Sequence, residues 1–429
     1  MNTSAQHDAH WDEGIGKNSV AKTARLVSLD YIRGIAVMGI LAANIVAFGQ
    51  PFIAYMWPEA FLTPHDATSD YLWAAQFVAV DGKMRGLFTL LFGAGMMLFL
   101  EKAWARGSGR RLQARRLLWL LMFGLVHFYL IWRGDILILY AIAGFAALAF
   151  VKMSAKRQMV LGLLGYLAGA VLYALFMVLP YMIAETDFGE NAAFAETRAE
   201  MVRETQREID DAATETSIIT QGNYFEFVNH TITAHGTDPL FTLFLFGFET
   251  LPLMLIGMAL YNWGLFSGRW NPTRMQIWGW TGVIGGSLLT VPIAIWALAD
   301  GLTYWGTLAA FVGISPLPRL PVILGLVTLL ALYGTHATGW LGQRVSAAGR
   351  MAFSNYLGTS LVMMLVFHGW AGGLYGALTR PELYLVVLAA WAIMLAWSKP
   401  WLERFQYGPL EWLWRCLTYG ALLPVKRET

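Results

Sequence analysis

The sequence predicts an all-α polytopic membrane protein, a bundle of about ten transmembrane helices with both termini in the cytoplasm. Of its 429 residues, 57% are hydrophobic and only 14% are charged, whereas a soluble domain is about half apolar and about a quarter charged. Apolar runs of membrane-spanning length follow one another, and Lys and Arg concentrate in alternate connections. These observations exclude a cytosolic enzyme and a nucleic-acid-binding protein. The single cysteine, Cys416, excludes an internal disulfide.

The chain divides into two apolar halves separated by one long polar segment. Residues 1–24 contain no continuous apolar stretch of the kind that a cleavable signal peptide needs. The predicted regions are a cytoplasmic tail (1–30), a first transmembrane half (31–184), an acidic extracytoplasmic loop (185–238), a second transmembrane half (239–398) and a cytoplasmic interfacial helix with its tail (399–429). The predicted spans are 31–51, 84–103, 117–133, 135–151, 158–184, 239–265, 276–299, 320–338, 351–370 and 382–398.

Three shorter features complete this organisation. Only Arg133-Gly134-Asp135 separates the third and fourth runs, which predicts a tight helical hairpin. The stretch 68–80 is too short to span, so we expect it to lie in the membrane interface or to fold back into the bundle. Residues 401–419 mix aromatic and basic side chains, as in a helix that lies among lipid headgroups.

The orientation follows from the positive-inside rule. If the N-terminus is cytoplasmic, the cytoplasmic segments hold 21 Lys and Arg and the opposite side holds 8. This asymmetry predicts cytoplasmic termini and an even number of spans. The outer segment 185–238 carries 12 acidic residues and 3 Arg, and it is interpreted either as a solvated acidic cap or as a lid over a binding site. Its histidines and His65 show no spacing typical of a metal site, so we predict none.

Ionisable residues inside a bilayer are costly, and each is therefore a candidate for a functional site. Asp30 and Arg33 lie one turn apart at the start of the first span, where they either anchor the helix or face a ligand. Asn44 follows in the outer half of the same helix and needs a partner inside the bundle. All three are predicted to bind substrate.

Lys83, Arg85 and Glu249 are further candidates for substrate binding. The two basic residues lie on the outward side, against the charge rule. Glu249 lies near the middle of the sixth predicted span, so it must be neutral, paired or hydrated. A functional carboxylate and a structural ion pair with an Arg of another helix are both compatible with this position.

His127 and Asp135 form the predicted catalytic pair. His127 lies about 9 Å below the outer end of the third span, and Asp135 follows the hairpin turn eight residues later. A histidine oriented by a carboxylate is suited to act as a general base near neutral pH. The alternative is a hydrogen-bonded packing histidine.

Several blocks resemble the YeiB-like family of bacterial multispanning proteins, known as domain of unknown function 418. The opening block runs from Ser28 to Ile45 and contains the Asp30, Arg33, Gly34 and Asn44 positions. Further blocks are 90–95, His127 with 132–137, 254–260, 349–357 and 405–419. The block at 349–357 adds Asn355 and Tyr356 to the predicted substrate-binding residues.

The opening block is also similar, more distantly, to transmembrane acyltransferases that include heparan-alpha-glucosaminide N-acetyltransferase. That resemblance implies transfer of an acyl group from cytoplasmic acyl-CoA to a sugar hydroxyl or amine on the opposite side. In those enzymes the catalytic histidine follows the Asn in the first outward loop, and 52–56 contains no histidine here. The base is therefore assigned to His127.

An acyltransferase of this type needs a basic surface for the phosphates of its donor. The basic segment between the second and third spans supplies the predicted donor-binding residues Arg110, Arg111, Arg115 and Arg116, although the positive-inside rule alone also explains them. Acyl-CoA or acetyl-CoA is expected as a substrate, with no tightly bound cofactor. Expected partners are membrane lipids and a small-molecule, lipid or glycan acceptor. Glycine-rich apolar faces are compatible with a homodimer.

The alternative function is a transporter, channel or lipid flippase of the cell envelope. In that case Asp30, Arg33 and Glu249 would be coupling or gating charges. The sequence shows no paired, broken helices of the kind that mark an inverted repeat. In both cases the predicted location is the bacterial cytoplasmic membrane.

Overall fold

A computed structural model describes the backbone of residues 5–64 and 66–427, and the side chains of residues 27–64 and 66–427. Residues 1–4 of the predicted tail and His65 therefore lie outside the described residues. The first half contains α1 (Ala5–Gly49), α2 (Ala67–Ala79), α3 (Lys83–Trp104), α4 (Arg110–Leu130), α5 (Leu137–Ala147) and α6 (Ala155–Glu185). The outer segment forms α7 (Ala195–Gln221) and α8 (Tyr224–Ala234).

The second half is also helical. It contains α9 (Asp238–Asn262), α10 (Pro272–Ala299), α11 (Tyr304–Leu308), α12 (Pro316–Gly334), α13 (Trp340–Arg350), α14 (Ala352–Phe367), α15 (Arg380–Arg404) and α16 (Pro409–Tyr419). A π-helical turn, Ala309–Ile314, joins α11 to α12. The described chain contains no β-strand beyond one isolated bridge between Phe405 and Lys426. The all-α prediction is confirmed.

Each of the ten predicted apolar runs contains one of these helices, but the helices differ in length. Seven described segments are long and apolar enough to cross a membrane: Val27–Gly49, Ala67–Trp104, Ala155–Glu185, Asp238–Asn262, Pro272–Ala299, Pro316–Gly334 and Arg380–Arg404. By contrast, α4 has 21 residues but is not among these segments, and α5 and α14 have only 11 and 16 residues. At 1.5 Å per residue neither reaches the ~30 Å of a hydrocarbon core.

The long helices form a buried centre and an apolar periphery. The apolar stretch of α1 is 78% buried, while those of α10 and α15 are each 22% buried. The peripheral helices present large apolar side chains outward, among them Leu175, Leu288 and Ile393, which are 63–66% exposed. Large apolar surfaces exposed to water are rare on soluble proteins, so these outward-facing side chains require a lipid environment. The structure therefore belongs in a membrane.

Glycines allow the central helices to cross at very short distances. A Cβ atom on Gly257 of α9 would lie 1.9 Å from the Leu90 carbonyl oxygen of α3, and one on Gly93 would lie 2.1 Å from that of Met254. Gly93 and Gly257 thus allow α3 and α9 to approach closely. A Cβ on Gly349 would lie 1.8 Å from the Asp30 carbonyl oxygen. This close approach packs α13 against the middle of α1.

The remaining predicted features are present as helices. The stretch 68–80 forms α2, whose Trp73 and Phe77 are buried inside the bundle. The hairpin at 133–135 joins α4 to α5, which pack against each other. In the outer segment, α7 packs against α8. At the opposite end of the bundle, α16 packs against α4 and α14.

Candidate functional site

A large cavity opens at the end of the bundle that carries α16. Its volume is about 450 Å³. Its walls come from α1, α3, α4, α5, α13, α14, α15 and α16, so they combine both ends of the chain. Aromatic and aliphatic side chains line the interior, among them Phe88, Phe92, Leu120 and Phe353. This volume lies in the range of small-molecule and cofactor pockets.

Basic side chains dominate the polar part of the cavity lining. The basic lining residues are Arg33, Lys102, Arg106, Arg116, Arg350 and Arg415, and the acidic ones are Asp30 and Glu411. The predicted Asp30–Arg33 pair is present, with 2.8 Å between Oδ1 of Asp30 and Nη1 of Arg33. The two side chains are 20% and 25% exposed. The cavity therefore combines an apolar interior with an excess of positive charge, which suits a ligand with an anionic head and an apolar tail.

Helix α16 completes the cavity and fixes two of its charged side chains. Glu411 accepts hydrogen bonds from the backbone N–H groups of Phe353 and Ser354 at 2.8 and 3.1 Å, which caps the start of α14. Burial raises the pKa of the Glu411 carboxyl, although its hydrogen bonds with Ser354 oppose the shift. The Trp414 indole donates to the carbonyl oxygen of Arg116 at 2.9 Å, and its ring stacks on the Arg116 guanidinium at 4.3 Å.

The four predicted donor-binding arginines separate into two groups. Arg116 lines the cavity. Arg115 is exposed and packs beside Gly420, just beyond α16, whereas Arg110 and Arg111 are exposed at the start of α4. The structure thus brings only Arg116 of this set to the cavity lining.

Sequence reasoning omitted several lining residues from the site. These are Lys102, Arg350, Glu411 and Arg415. The family resemblance could have indicated three of them, because Arg350, Glu411 and Arg415 lie inside the blocks that carry it. Lys102 lies in the basic segment that was attributed to orientation.

Two tyrosines lie at the inner end of the cavity. Tyr140 of α5 hydrogen-bonds with the Thr89 hydroxyl at 2.8 Å and is completely buried. Tyr356 of α14 accepts a hydrogen bond from the Ile136 N–H at 3.3 Å. Both side chains line the cavity. The ring of Tyr356 also lies 5.2 Å from the imidazole of His127, so Tyr356 lies beside both the cavity and this histidine.

His127 and Asp135 form a fully buried pair. Nδ1 of His127 lies 2.7 Å from Oδ1 of Asp135, and both side chains have zero exposure. Oδ2 of Asp135 accepts from the Ile138 N–H at 2.8 Å, at the start of α5. A Cβ on Gly124 would lie 2.8 Å from that nitrogen, so the glycine lets the hairpin close.

The contact with Asp135 determines which nitrogen of the His127 imidazole carries the proton. An ionised carboxylate only accepts hydrogen bonds, so Nδ1 of His127 carries the proton in the neutral ring. Nε2 is buried and has no hydrogen-bond partner among the described residues. Its lone pair is therefore available to take a proton from a group that reaches it. His127 is not among the residues that line the large cavity.

Asn44 lies on a separate, small cavity. This space of about 10 Å³ is also lined by Phe48, Trp132, Tyr356 and Ser360, and it is about the size needed for one water molecule. No hydrogen bond joins Asn44 to His127 within the described chain. The Asn44 and His127 side chains instead share Tyr356 and Trp132 as neighbours, the Trp132 ring lying 6.2 Å from the imidazole.

Glu249 and Arg85 belong to a buried charge cluster elsewhere in the bundle. Glu249 is 2% exposed and lies 2.5 Å from Nη2 of Arg85 and 3.1 Å from Nη1 of Arg319. Arg319 also donates to the Phe311 carbonyl at 2.8 Å. Lys83 is buried and donates to the Phe77 carbonyl. These contacts join α3, α9 and α12 and are typical of a structural network.

Asn355 also makes contacts that tie helices together. Its amide nitrogen donates to the Ala348 carbonyl at 3.0 Å and to the Ser398 hydroxyl at 3.2 Å. Its amide oxygen accepts from the Trp397 indole at 2.9 Å. The side chain is 3% exposed, and these bonds hold α13, α14 and α15 together. Its neighbour Tyr356 is the one that lines the cavity.

The fold and the site define an all-α, multispanning membrane protein with an apolar cavity whose polar lining is mainly basic. The chain belongs to the YeiB-like family, and a model of that family, "Protein of unknown function (DUF418)", matches residues 260–421. The chain is 30% identical to the uncharacterized protein YeiB of Escherichia coli (strain K12) over 94% of this chain and 99% of that protein.

Other relatives have similar lengths. The uncharacterized protein YxaH of Bacillus subtilis (strain 168) is 28% identical over 94% of this chain and 97% of its own. An uncharacterized 39.9 kDa protein of Bacillus acidopullulyticus is 26% identical over 95% of this chain and 97% of its own. No solved structure matches the chain. The resemblance to the YeiB-like family that the sequence indicates is confirmed.

Proposed function

We propose that this protein is a membrane-embedded acyltransferase that moves an acyl group from acyl-CoA to an extracytoplasmic or lipid-linked acceptor. The observation that carries the proposal is the arrangement around Tyr356. This ring lines the cavity that carries the basic residues, and it also lies 5.2 Å from the imidazole of His127, which pairs with Asp135. An acyl-CoA has the matching chemistry, since its phosphates are anionic and its pantetheine arm and acyl chain are largely apolar.

In this mechanism the donor enters from the end of the bundle that carries α16. Arg116, Arg350 and Arg415 bind its phosphates, since guanidinium groups recognise phosphate oxygens by paired hydrogen bonds. The thioester lies near Tyr140 and Tyr356 at the inner end of the cavity.

A displacement of the Tyr356 side chain then exposes His127 to the acceptor. Nε2 of His127 takes the proton of the acceptor hydroxyl or amine as its oxygen or nitrogen attacks the thioester carbonyl carbon. Asp135 orients the ring and stabilises the imidazolium that forms. The tetrahedral intermediate collapses with cleavage of the C–S bond, and the imidazolium returns the proton to the CoA thiolate. Asn44, across Tyr356 from the donor, is placed to donate to the developing oxyanion.

The topology belongs to the same proposal. We place both termini in the cytoplasm of a bacterium and the protein in its cytoplasmic membrane, so that the basic cavity faces the acyl-CoA pool. The distribution of Lys and Arg supports this orientation. Reporter fusions after Thr429 should be active in the cytoplasm, and a periplasmic signal would refute the orientation. We propose that the chain crosses the membrane ten times and that the short helices α5 and α14 lie within the membrane.

Transfer is tested with radiolabelled acetyl-CoA and membrane vesicles that contain the purified protein and an envelope lipid and glycan extract. His127→Ala and His127→Gln should lower the transfer of label about 10²–10⁴-fold, since neither side chain can act as the base. Asp135→Asn should lower it less, because the base is retained. His336→Ala is the control, as that histidine is exposed. Label transfer at the wild-type rate by both His127 variants would refute the role of this residue.

A lipid flippase or transporter is the second candidate. The basic cavity with apolar walls also suits a phospholipid. Like acyl-CoA, a phospholipid combines an anionic phosphate with an apolar chain. The two candidates differ in covalent chemistry. Movement of a fluorescent phospholipid across the vesicle membrane without release of CoA from acetyl-CoA would favour the flippase and count against the acyltransferase.

A further inference from the structure

Two histidines and one aspartate converge in the outer segment, far along the chain from the basic cavity. Asp211 lies on α7, His230 lies on α8, and His235 follows the last residue of α8. One potential ligand atom from each side chain lies within 4.8 Å of the other two. The sequence predicts no metal site here because the spacing of His65, His230 and His235 is not typical of metal ligands.

The imidazoles have nitrogens that are available to a ligand. Nε2 of His230 and Nε2 of His235 are both buried and have no hydrogen-bond partner within the described residues. His235 is 6% exposed, and its Nε2 lies 3.5 Å from Oδ2 of Asp211. The two rings are nearly perpendicular, at 85°, with centroids 5.2 Å apart. Buried polar nitrogens without partners are costly, so their convergence on a carboxylate points to a ligand.

The other nitrogen of His235 is already oriented. Nδ1 lies 3.1 Å from Oδ2 of Asp238, the first residue of α9. A carboxylate that accepts the second N–H of a ligating histidine fixes its tautomer and makes Nε2 the metal ligand. Arg133 competes for the same nitrogen, because its Nη1 lies 3.3 Å from Nδ1 and a guanidinium can only donate a hydrogen bond. However, Arg133 is held 2.6 Å from Glu215 and 3.8 Å from Asp238, so two carboxylates balance it.

We propose that Asp211, His230 and His235 form a binding site for a divalent transition-metal ion of the Zn²⁺ class. Two imidazoles and one carboxylate are typical zinc ligands, and such ions bind at 2.0–2.2 Å from each donor. Closing the present separation to that geometry requires side-chain movements of about 1 Å. Asp211 is 37% exposed, which leaves room for water as the fourth ligand. The bound ion would link α7 to the end of α8, beside the start of α9.

The experiment uses the full-length protein without a histidine tag, purified in detergent and stripped of metal with a chelator. Wild-type protein should bind one Zn²⁺ per chain by calorimetry, with an increase of several degrees in the unfolding midpoint. Co²⁺ at the same site should give the visible absorption of a tetrahedral complex. His230→Ala and Asp211→Asn should each weaken binding at least tenfold. Because either variant could fold less well, size-exclusion profiles and His230→Gln, which keeps the volume, accompany them.

The matched controls separate a defined site from general attraction to acidic residues. Asp210→Asn removes the same charge from the adjacent position of α7, where Asp210 accepts from Gln206 instead. His336→Ala removes an exposed histidine from another part of the chain. Both should bind Zn²⁺ like the wild type. Absence of binding in the wild type, or equal binding by the Asp211 and Asp210 variants, would overturn the proposal. Neither outcome bears on the acyltransferase, which uses other residues.

Discussion

Replacing Glu249 by glutamine tests whether the charge cluster among α3, α9 and α12 stabilises the fold. Gln has nearly the same volume, so the change removes charge without creating a cavity. It leaves the guanidiniums of Arg85 and Arg319 without a counter-ion, and these side chains are 17% and 3% exposed. Removing one partner of a buried ion pair costs about 3–5 kcal/mol because the other charge stays buried.

The structure places the expected loss at the lower end of that range. Arg319 keeps its bonds to the Phe311 carbonyl and the Ser315 hydroxyl, and Arg85 keeps its contact with the Phe246 ring at 4.3 Å. We therefore expect Glu249→Gln to lower the free energy of unfolding by about 3 kcal/mol, which is about a hundredfold in the equilibrium constant.

The assay is equilibrium unfolding of the purified protein in mixed micelles, followed by tryptophan fluorescence. Glu403→Gln is the control, because that side chain is 63% exposed and lies 3.9 Å from Lys399. An exposed pair contributes at most about 1 kcal/mol. If Glu249→Gln and Glu403→Gln destabilise equally, the cluster is not structural. Loss of transfer or transport with unchanged stability would instead assign Glu249 to the ligand.

Two further predictions concern packing and pH. Gly257→Ala should destabilise the protein by several kcal/mol, because its Cβ would lie 1.9 Å from a backbone oxygen, whereas Gly285→Ala, with nothing within 4 Å, should unfold like the wild type. Since burial raises the pKa of Glu411 above its ordinary value of 4.5, folding stabilises its protonated form, and that contribution is lost as pH rises through the raised pKa. Glu411→Gln should therefore remove this decline from the stability–pH curve, and an unchanged curve would contradict the argument.

The helices could be predicted because membrane burial leaves a strong local signal. About twenty consecutive apolar residues are needed to cross a bilayer, and each predicted run contains a helix. The His127–Asp135 pair could also be predicted from local sequence, since only eight residues and one hairpin turn separate its members. The short length of α5, by contrast, could not be predicted from hydropathy. Its apolar residues continue to 151, but the helix ends at Ala147, so hydropathy alone overestimated its length.

The cavity and the metal-ligand cluster could not be predicted because their residues are distant in the chain. Arg33 and Arg415 line one cavity although 382 positions separate them, and no periodic pattern encodes that contact. Likewise, Asp211 meets His235 only because the α7–α8 turn folds one helix back on the other. Burial of Glu249 was evident from sequence, but its partners Arg85 and Arg319 belong to other helices.

The dependence of the cavity on both ends of the chain has a consequence for the biogenesis of the protein. The ribosome completes α1 and α3 hundreds of residues before α16, whose Trp414 and Arg415 form part of the cavity lining. A nascent chain that has inserted most of its helices therefore still presents an unfinished and open basic groove. Binding competence should appear only when the last segment emerges and docks on α4 through the Trp414–Arg116 contact. Incomplete chains would thus be inserted in the membrane but inactive toward the ligand.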